Sequence, residues 1–196
     1  MLEEMSPYRV LIVSDTDKVS DYITDLLPKR EFSPILRANS AGDAKRMLLS
    51  SDYDIVIINS PLPDEFGTDL AVDISEEMSK TAVMLLVKSD SYDAVSYKVE
   101  RSGVLTLPKP NTKQTIYASI RLLAAMSMKL NQLDKKNRSL QEKMTDIRTV
   151  NRAKWLLIEN LNMTEKEAHY YIEKQAMDTR MTRRDVAFGI IRTYDK

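Results

Sequence analysis

Short apolar runs alternate with amphipathic stretches through the first half of the chain. The apolar runs are Arg9–Val13, Asp54–Ile58, Val83–Val87 and Val104–Leu107, with Ser33–Leu36 as a weaker one. The amphipathic stretches between them are Lys18–Leu27, Ala41–Leu49, Thr68–Met78 and Tyr92–Arg101. Continuous apolar strands that alternate with helices are typical of a parallel sheet covered on both faces. The pattern predicts a doubly wound α/β domain with five parallel strands, whose chemistry lies at the carboxyl ends of the strands.

A long helix follows, because neither Pro nor Gly occurs from Asn111 to Phe188. From Met126 onward its apolar residues recur at alternating spacings of three and four, which is the heptad signature of a coiled coil. We expect a dimer whose seam consists of Met126, Leu130, Leu133, Asn137, Leu140, Met144 and Ile147. A buried Asn137 would favour a parallel dimer. The alternative is a helix that folds back on its own domain; dimerisation is favoured because an exposed Leu/Met seam invites aggregation.

Three short helices end the chain. Ala153, Leu156, Leu157 and Leu161 recur at helical spacing in the first of them. The pairs Thr164–Glu167 and Thr182–Asp185 indicate capping boxes that begin the second and third. We therefore predict three regions: residues 1–122 as the α/β domain, 123–147 as the coiled coil and 148–196 as an all-α domain. Trp155 lies in the apolar stripe of its helix and is expected in a core or interface.

Composition excludes several classes of protein. The 196 residues include no Cys and one His, which excludes disulfide frameworks, thiolate metal sites and His-rich metal centres. No apolar run reaches the length of a membrane span, and MLEEMSPYR lacks the order of a signal peptide, so we expect a cytoplasmic protein without a membrane partner. Lys and Arg number 14 against 19 acidic residues in 1–122, but 10 against 8 in 145–196. This polarity suits a nucleic-acid-binding tail on an acidic control domain.

The segment from Asn151 to Arg192 resembles the ANTAR domain, the small helical RNA-binding module of transcription antiterminators. The resemblance rests on Ala153-Lys154, on Glu167-Ala168, and on Ala176-Met177 followed by Arg180. It implies that the chain binds structured hairpins in nascent transcript leaders. The residues expected to contact RNA are Arg148, Arg152, Lys154, Gln175, Arg180, Thr182, Arg183 and Arg184. The arginines and Lys154 would bind phosphates, and folding of the three helices is expected to bring Arg152 and Lys154 onto one face with Arg180, Thr182 and Arg183.

The first half resembles the receiver domain of two-component response regulators, with its CheY-like, flavodoxin-like fold. The stretches VLIVSDTD, DIVIINSPLPDEFG and GVLTLPKP carry the resemblance. Asp15 takes the second place of the family's acidic pair, and Lys109, followed by a cis Pro110, takes the place of its lysine. The sequence departs from the family elsewhere: Ser14 fills the first acidic place, Asn59 replaces the phosphate-accepting Asp, and Val87 is aligned with the Thr or Ser after the fourth strand.

These departures predict a degenerate receiver that is not phosphorylated. An acyl phosphate needs a carboxylate nucleophile, which the Asn59 amide cannot provide. Asp15 alone remains of three carboxylates, so Mg²⁺ binding is expected to be weak or absent and no other cofactor is implied. Asp54 and Asp64 are alternative acceptors, but Asp54 begins its strand and Asp64 lies beyond the loop prolines. Lys109 is expected to form an ion pair with Asp15, and His169 to have a packing or surface role.

Two functions of different classes follow. In one, a dimer binds RNA hairpin loops and is controlled by a sensor or sequestering protein instead of by phosphorylation. In the other, the chain is a protein-interaction adaptor whose basic residues only solvate a surface. An enzyme is a distant third, because no glycine-rich phosphate loop and no nucleophile with a base can be assembled.

Overall fold

The computed structural model describes residues 6–195 and divides into two compact units, one ending at Asp134 and one beginning at Lys135. The strands are β1 (Tyr8–Val13), β2 (Phe32–Ala38), β3 (Ile55–Asn59), β4 (Ala82–Lys88) and β5 (Leu105–Lys109). The helices are α1 (Asp17–Leu26), α2 (Ala41–Ser50), α3 (Thr68–Glu77), α4 (Tyr92–Val99), α5 (Lys113–Leu161), α6 (Glu165–Thr179) and α7 (Arg183–Tyr194). Helix α5 runs through the boundary between the units.

The first unit has the predicted fold, a five-stranded parallel sheet with helices on both faces. The strand order is β2-β1-β3-β4-β5, so the order reverses between β1 and β3. Alternate residues of β3 and β4 belong to separate apolar clusters: Ile58 and Leu85 pack on the side of α2, α3 and α4, whereas Ile57 and Leu86 pack on the side of α1 and α5. The apolar runs are therefore continuous because both faces of each strand are buried.

The first part of α5 is an integral piece of the α/β unit. Ile116, Ile120 and Leu123 are buried in the cluster beneath the sheet, and Met126 packs against the same cluster. Further along, Asn131 Nδ2 lies 3.4 Å from Asp54 Oδ1 and Lys80 Nζ lies 3.4 Å from Asp134 Oδ2. The beginning of the helix thus packs on the sheet as the fifth helix of the α/β unit, and the predicted seam starts inside this unit.

Four apolar seam residues beyond that point are exposed. Leu133, Leu140, Met144 and Ile147 keep between 47% and 60% of their surface accessible. They are spaced along a helix that no Gly or Pro interrupts. An apolar stripe of this kind is what a coiled-coil partner would cover.

The second unit packs α6 and α7 against the end of α5. Its core consists of Ala153, Leu157, Ala168, Ile172, Ala187 and Ile190. Both capping boxes are present: the Thr164 and Thr182 hydroxyls accept from the backbone N–H of Glu167 and Asp185, whose carboxylates accept in return. The first of the three predicted short helices is the end of the long helix α5, and the core that it forms with α6 and α7 is small, with Ala at half of its positions.

One expected core residue of this unit lies at the surface. Trp155 is 71% exposed, because Ala153 and Leu157 face α6 and α7 and the residue between them points away. Leu161 is also 43% exposed. Among residues 6–195, none of the helices combines the length and apolarity that crossing a membrane requires.

Candidate functional site

Asn59 ends β3 at the carboxyl edge of the sheet, beside the point where the strand order reverses. The residue is 6% exposed, and its side-chain amide is hydrogen-bonded on both sides. Nδ2 donates to Ser14 Oγ at 3.1 Å, and Oδ1 accepts from Lys109 Nζ at 2.7 Å. Three residues distant in the sequence thus form one hydrogen-bonded row, and the amide provides both the donor and the acceptor that the row needs.

Lys109 is held by neutral oxygens. Besides Asn59, its Nζ donates to the carbonyl oxygen of Ser60 at 2.5 Å. Burial lowers the pKa of Lys109, the positive charge of Lys88 lowers it further, and Asp15 opposes both. The hydrogen bonds of the ammonium group therefore go to Asn59 and Ser60, while the predicted partner Asp15 acts on it as a nearby charge. The Lys109–Pro110 bond is cis, as predicted.

The end of β4 carries an apolar residue, Val87, at the place aligned with the family's Thr or Ser, and a second lysine, Lys88, after it. Val87 is fully buried in the cluster on the α2–α4 side, on the opposite face of the sheet from Leu86, the register partner of Asn59. Because side chains alternate along a strand, Lys88 is the next residue on the face of Asn59. Lys88 is also in register with Lys109. Lys88 was not among the candidate residues of the sequence, because its proximity to Lys109 arises from strand register and not from a local motif.

Carboxylates are sparse around this row. Asp15 accepts from the hydroxyl of Thr16 at 2.9 Å. Asp64, an alternative acceptor, caps the start of α2 through the N–H groups of Ala41 and Gly42, each at 2.9 Å, and these bonds lower its pKa. Within residues 6–195, no group of three or more His, Cys, Asp or Glu side chains is arranged to hold a metal ion. Mg²⁺ prefers several carboxylate oxygens, so the weak or absent binding expected from the sequence stays a prediction.

A second site lies in the helical unit, where a cleft of about 390 Å³ opens between the end of α5 and the start of α7. Four of the predicted RNA-binding residues line it, namely Lys154, Thr182, Arg183 and Arg184. Asn151 and His169 add further hydrogen-bonding groups, and Ile147 and Val150 add apolar surface. The cleft combines cationic, polar and apolar groups, the mixture that contacts both the phosphate and the base of a nucleotide.

Each cation of the cleft has a carboxylate partner. Lys154 Nζ lies 2.7 Å from Glu165 Oε1, Arg183 Nη1 lies 3.1 Å from Glu173 Oε1, and Arg184 Nη1 lies 3.0 Å from Asp146 Oδ1. The bond from Lys154 is the main cause of the lowered pKa of Glu165. His169 Nε2 is 3.4 Å from Glu173 Oε1.

The other predicted RNA-binding residues lie elsewhere. Arg152 pairs with Asp195, which follows the last residue of α7, and a helix of this length separates that end from Thr182 by about 18 Å. The expectation that Arg152 shares one face with Lys154, Thr182 and Arg183 is therefore wrong. Arg180 is exposed at the α6–α7 turn with a left-handed backbone, φ 55°. Gln175 is half-buried on α6, and Arg148 is exposed on α5.

Comparisons with known proteins find a family match for the α/β unit and another for the helical unit. The sequence profile of the response regulator receiver domain matches residues 10–121, and that of the ANTAR domain matches residues 138–191. The transcriptional regulatory protein PdtaR of Mycobacterium tuberculosis is 26% identical over 95% of this chain and 91% of its own length. The aliphatic amidase regulator of Pseudomonas aeruginosa is 27% identical over 64% of each chain.

Solved structures show the same fold for the first unit. The signal receiver domain of an HD domain-containing protein from Pseudomonas fluorescens superposes with a TM-score of 0.61 at 19% identity, covering 67% of this chain and 97% of that one. A response regulator receiver domain protein from Clostridium thermocellum superposes with a TM-score of 0.56 at 22% identity, covering 63% and 98%. The chain belongs to the response regulator receiver domain family and carries an ANTAR domain after its receiver.

Proposed function

We propose that this chain is a dimeric RNA-binding regulator of transcription antitermination, which binds hairpin loops in nascent transcript leaders. The observation that supports this most is the cleft of the ANTAR unit, where Lys154, Arg183 and Arg184 converge beside Asn151 and Thr182. Sequence-specific RNA readers chiefly bind single-stranded loops, because the bases there are splayed and accessible. The similarity to a transcriptional regulatory protein over nearly the whole chain supports the same role.

Control of the receiver is proposed to be independent of phosphorylation. Asn59 cannot form an acyl phosphate, and its amide already bonds to both Ser14 and Lys109. With Asp15 as the carboxylate at this place, Mg²⁺ binding is expected to be weak or absent. A sensor or sequestering protein would instead regulate the chain by binding one of its conformations more tightly than another.

Dimerisation is proposed to occur through the second part of α5. The exposed residues Leu133, Leu140, Met144 and Ile147 form the stripe, and Asn137 lies exposed among them at a core position of the heptads. A parallel pair would place two helical units side by side, so that one dimer could bind two hairpins.

The adaptor function remains as the second candidate because of two observations. The cations of the cleft are paired with acidic residues, and Trp155 and Phe188 are large exposed hydrophobic residues in the same unit. Aromatic residues are enriched at protein interfaces as well as at RNA-binding surfaces.

A filter-binding assay separates the two candidates. The probes are a pool of RNA hairpins with randomised loops and a duplex RNA of equal length without loops, each at two salt concentrations. Loop binding predicts selection of a subset of hairpins over the duplex and an affinity that falls with salt. If loops and duplex bind equally weakly at both concentrations, the RNA proposal fails and the adaptor is favoured.

A further inference from the structure

The cations that line the ANTAR cleft pair with acidic side chains, of which Asp146 lines the cleft and Glu165 and Glu173 lie beside it. Glu165, His169 and Glu173 are spaced four residues apart and so share one face of α6. That face meets Lys154 of α5 through Glu165 and Arg183 of α7 through Glu173. Asp146 of α5 faces Arg184 in the same way.

Each cation that lines the cleft is therefore neutralised by a paired carboxylate. Three cations, Lys154, Arg183 and Arg184, are matched by three carboxylates, each within 3.1 Å of its partner. Glu165 and Glu173 accept charge-assisted hydrogen bonds from Lys154 and Arg183, as phosphate oxygens would on the same cations, while Asp146 lies 3.0 Å from Arg184 as an ion pair.

From this arrangement we infer that Glu165, Glu173 and Asp146 determine the specificity of the cleft by excluding RNA that offers only phosphates. This inference rests on the proposed RNA-binding function. A phosphate that replaces a carboxylate on Lys154 or Arg183 gains one ion pair while another is lost, and it also approaches the displaced carboxylate. The net gain from phosphates is small, so binding requires additional contacts from bases to Asn151, Thr182 and the apolar wall at Ile147 and Val150.

The energy of an exposed ion pair is consistent with such an exchange. The side chains of Glu165 and Arg183 are 68% and 61% exposed, so their pairs break easily when a better partner arrives. Lys154 is different, because its side chain is only 17% exposed. The ion pairs therefore compete with weak phosphate binding, but a ligand that also fills the cleft can displace the carboxylates.

The test uses the full chain and a uridine homopolymer of about 20 nucleotides, a probe with phosphates and unstructured bases. The double variant Glu165→Gln/Glu173→Gln retains the size of both side chains and removes two competing charges. We expect about tenfold tighter binding at low salt and a slope of log K against log salt that is steeper by about 1.4, since each single-strand phosphate contact contributes about 0.7.

The matched control is Glu142→Gln/Glu159→Gln, which changes the net charge equally at exposed positions of α5 and leaves the ion pairs of the three cleft cations intact. It should shift the affinity much less and leave the slope unchanged. Equal slopes in the two double variants, or unchanged affinity in the first, would overturn the inference. If the inference fails in this way, the parent protein is still expected to prefer hairpin loops over duplex RNA. The filter-binding assay therefore tests the proposed function separately.

Circular dichroism and sedimentation verify that each variant keeps its helix content and assembly state. If the double variant loses helix content, Glu173→Gln alone serves, because Glu173 lies in the middle of α6 while Glu165 begins it. The single variant is expected to steepen the slope by about 0.7. An unchanged slope in this folded variant would again contradict the inference.

Discussion

The side-chain amide of Asn59 lies between Ser14 and Lys109, and the oxygen that accepts from the ammonium group is 2.7 Å from Nζ. In this row the amide is a donor at one end and an acceptor at the other. A carboxylate in the same place would be an acceptor only. The row is thus centred on a neutral residue, at the place where the sequence resemblance implies the phosphate acceptor, and the first two predictions follow from this.

Incubation with acetyl phosphate and magnesium should leave the intact mass of the protein unchanged. The reason is that an amide cannot attack phosphorus as a carboxylate does. Mass spectrometry under neutral conditions measures this, and a receiver domain with an intact acidic cluster provides the positive control. A stoichiometric, acid-labile phosphoryl adduct on this chain would show that another residue accepts phosphate.

Replacing Asn59 with Ala should lower the free energy of unfolding by about 1 to 3 kcal/mol, because Ser14 and Lys109 each lose a buried partner. Urea denaturation followed by circular dichroism measures the change. Asn39→Ala is the control, since that side chain is exposed and precedes α2. An effect of Asn59→Ala no larger than that of the control would mean that the row does not stabilise the receiver.

The exposed stripe of α5 predicts the assembly state. Leu133→Glu/Leu140→Glu should convert a sedimenting dimer to a monomer, because carboxylates in the seam would be desolvated without partners. The control Gln132→Glu/Ser139→Glu places the same charges one residue away, outside the heptad core positions, and should remain dimeric. A parent that is monomeric at micromolar concentration would refute the coiled coil.

The cleft predicts which cations contribute to the binding of a hairpin that the filter-binding assay has selected. Lys154→Ala and Arg184→Ala should each weaken binding by about 1 to 3 kcal/mol with helix content unchanged. Arg152→Ala should have little effect because Arg152 is at the opposite end of α7, and Lys166→Ala should have little effect because it does not line the cleft. Equal effects of all four substitutions would mean that RNA binds elsewhere.

The capping box of α6 predicts a dependence on pH. Bonds from the N–H and hydroxyl of Thr164 lower the pKa of Glu167 below 4.5, so its contribution to stability is present above that value and is lost as pH falls through the folded pKa. The difference in stability between the parent and Glu167→Ala should therefore shrink in acid. Thermal unfolding at a series of pH values measures this difference. A difference that does not change with pH would show that the ionised Glu167 carboxylate does not stabilise the cap.

The sequence by itself determined the elements and their order. Runs such as Val83–Val87 predict buried strands because both of their faces are apolar, and Thr164 with Glu167 predicts the start of α6 because capping bonds join residues three apart. These signals are local, and local periodicity and hydrogen bonding are what a sequence displays directly. The place of Asn59 at the end of β3 also follows from a motif within one short stretch.

The tertiary structure alone decided which distant residues meet. Val87 and Lys88 are adjacent in the chain, yet they lie on opposite faces of the sheet, because strand register assigns alternate residues to opposite sides. Likewise, Lys154 lines the cleft while Arg152, two positions earlier, pairs with Asp195 beyond the far end of α7. The pairing of each cleft cation with a carboxylate depends on how three helices pack, which no spacing along a single helix specifies.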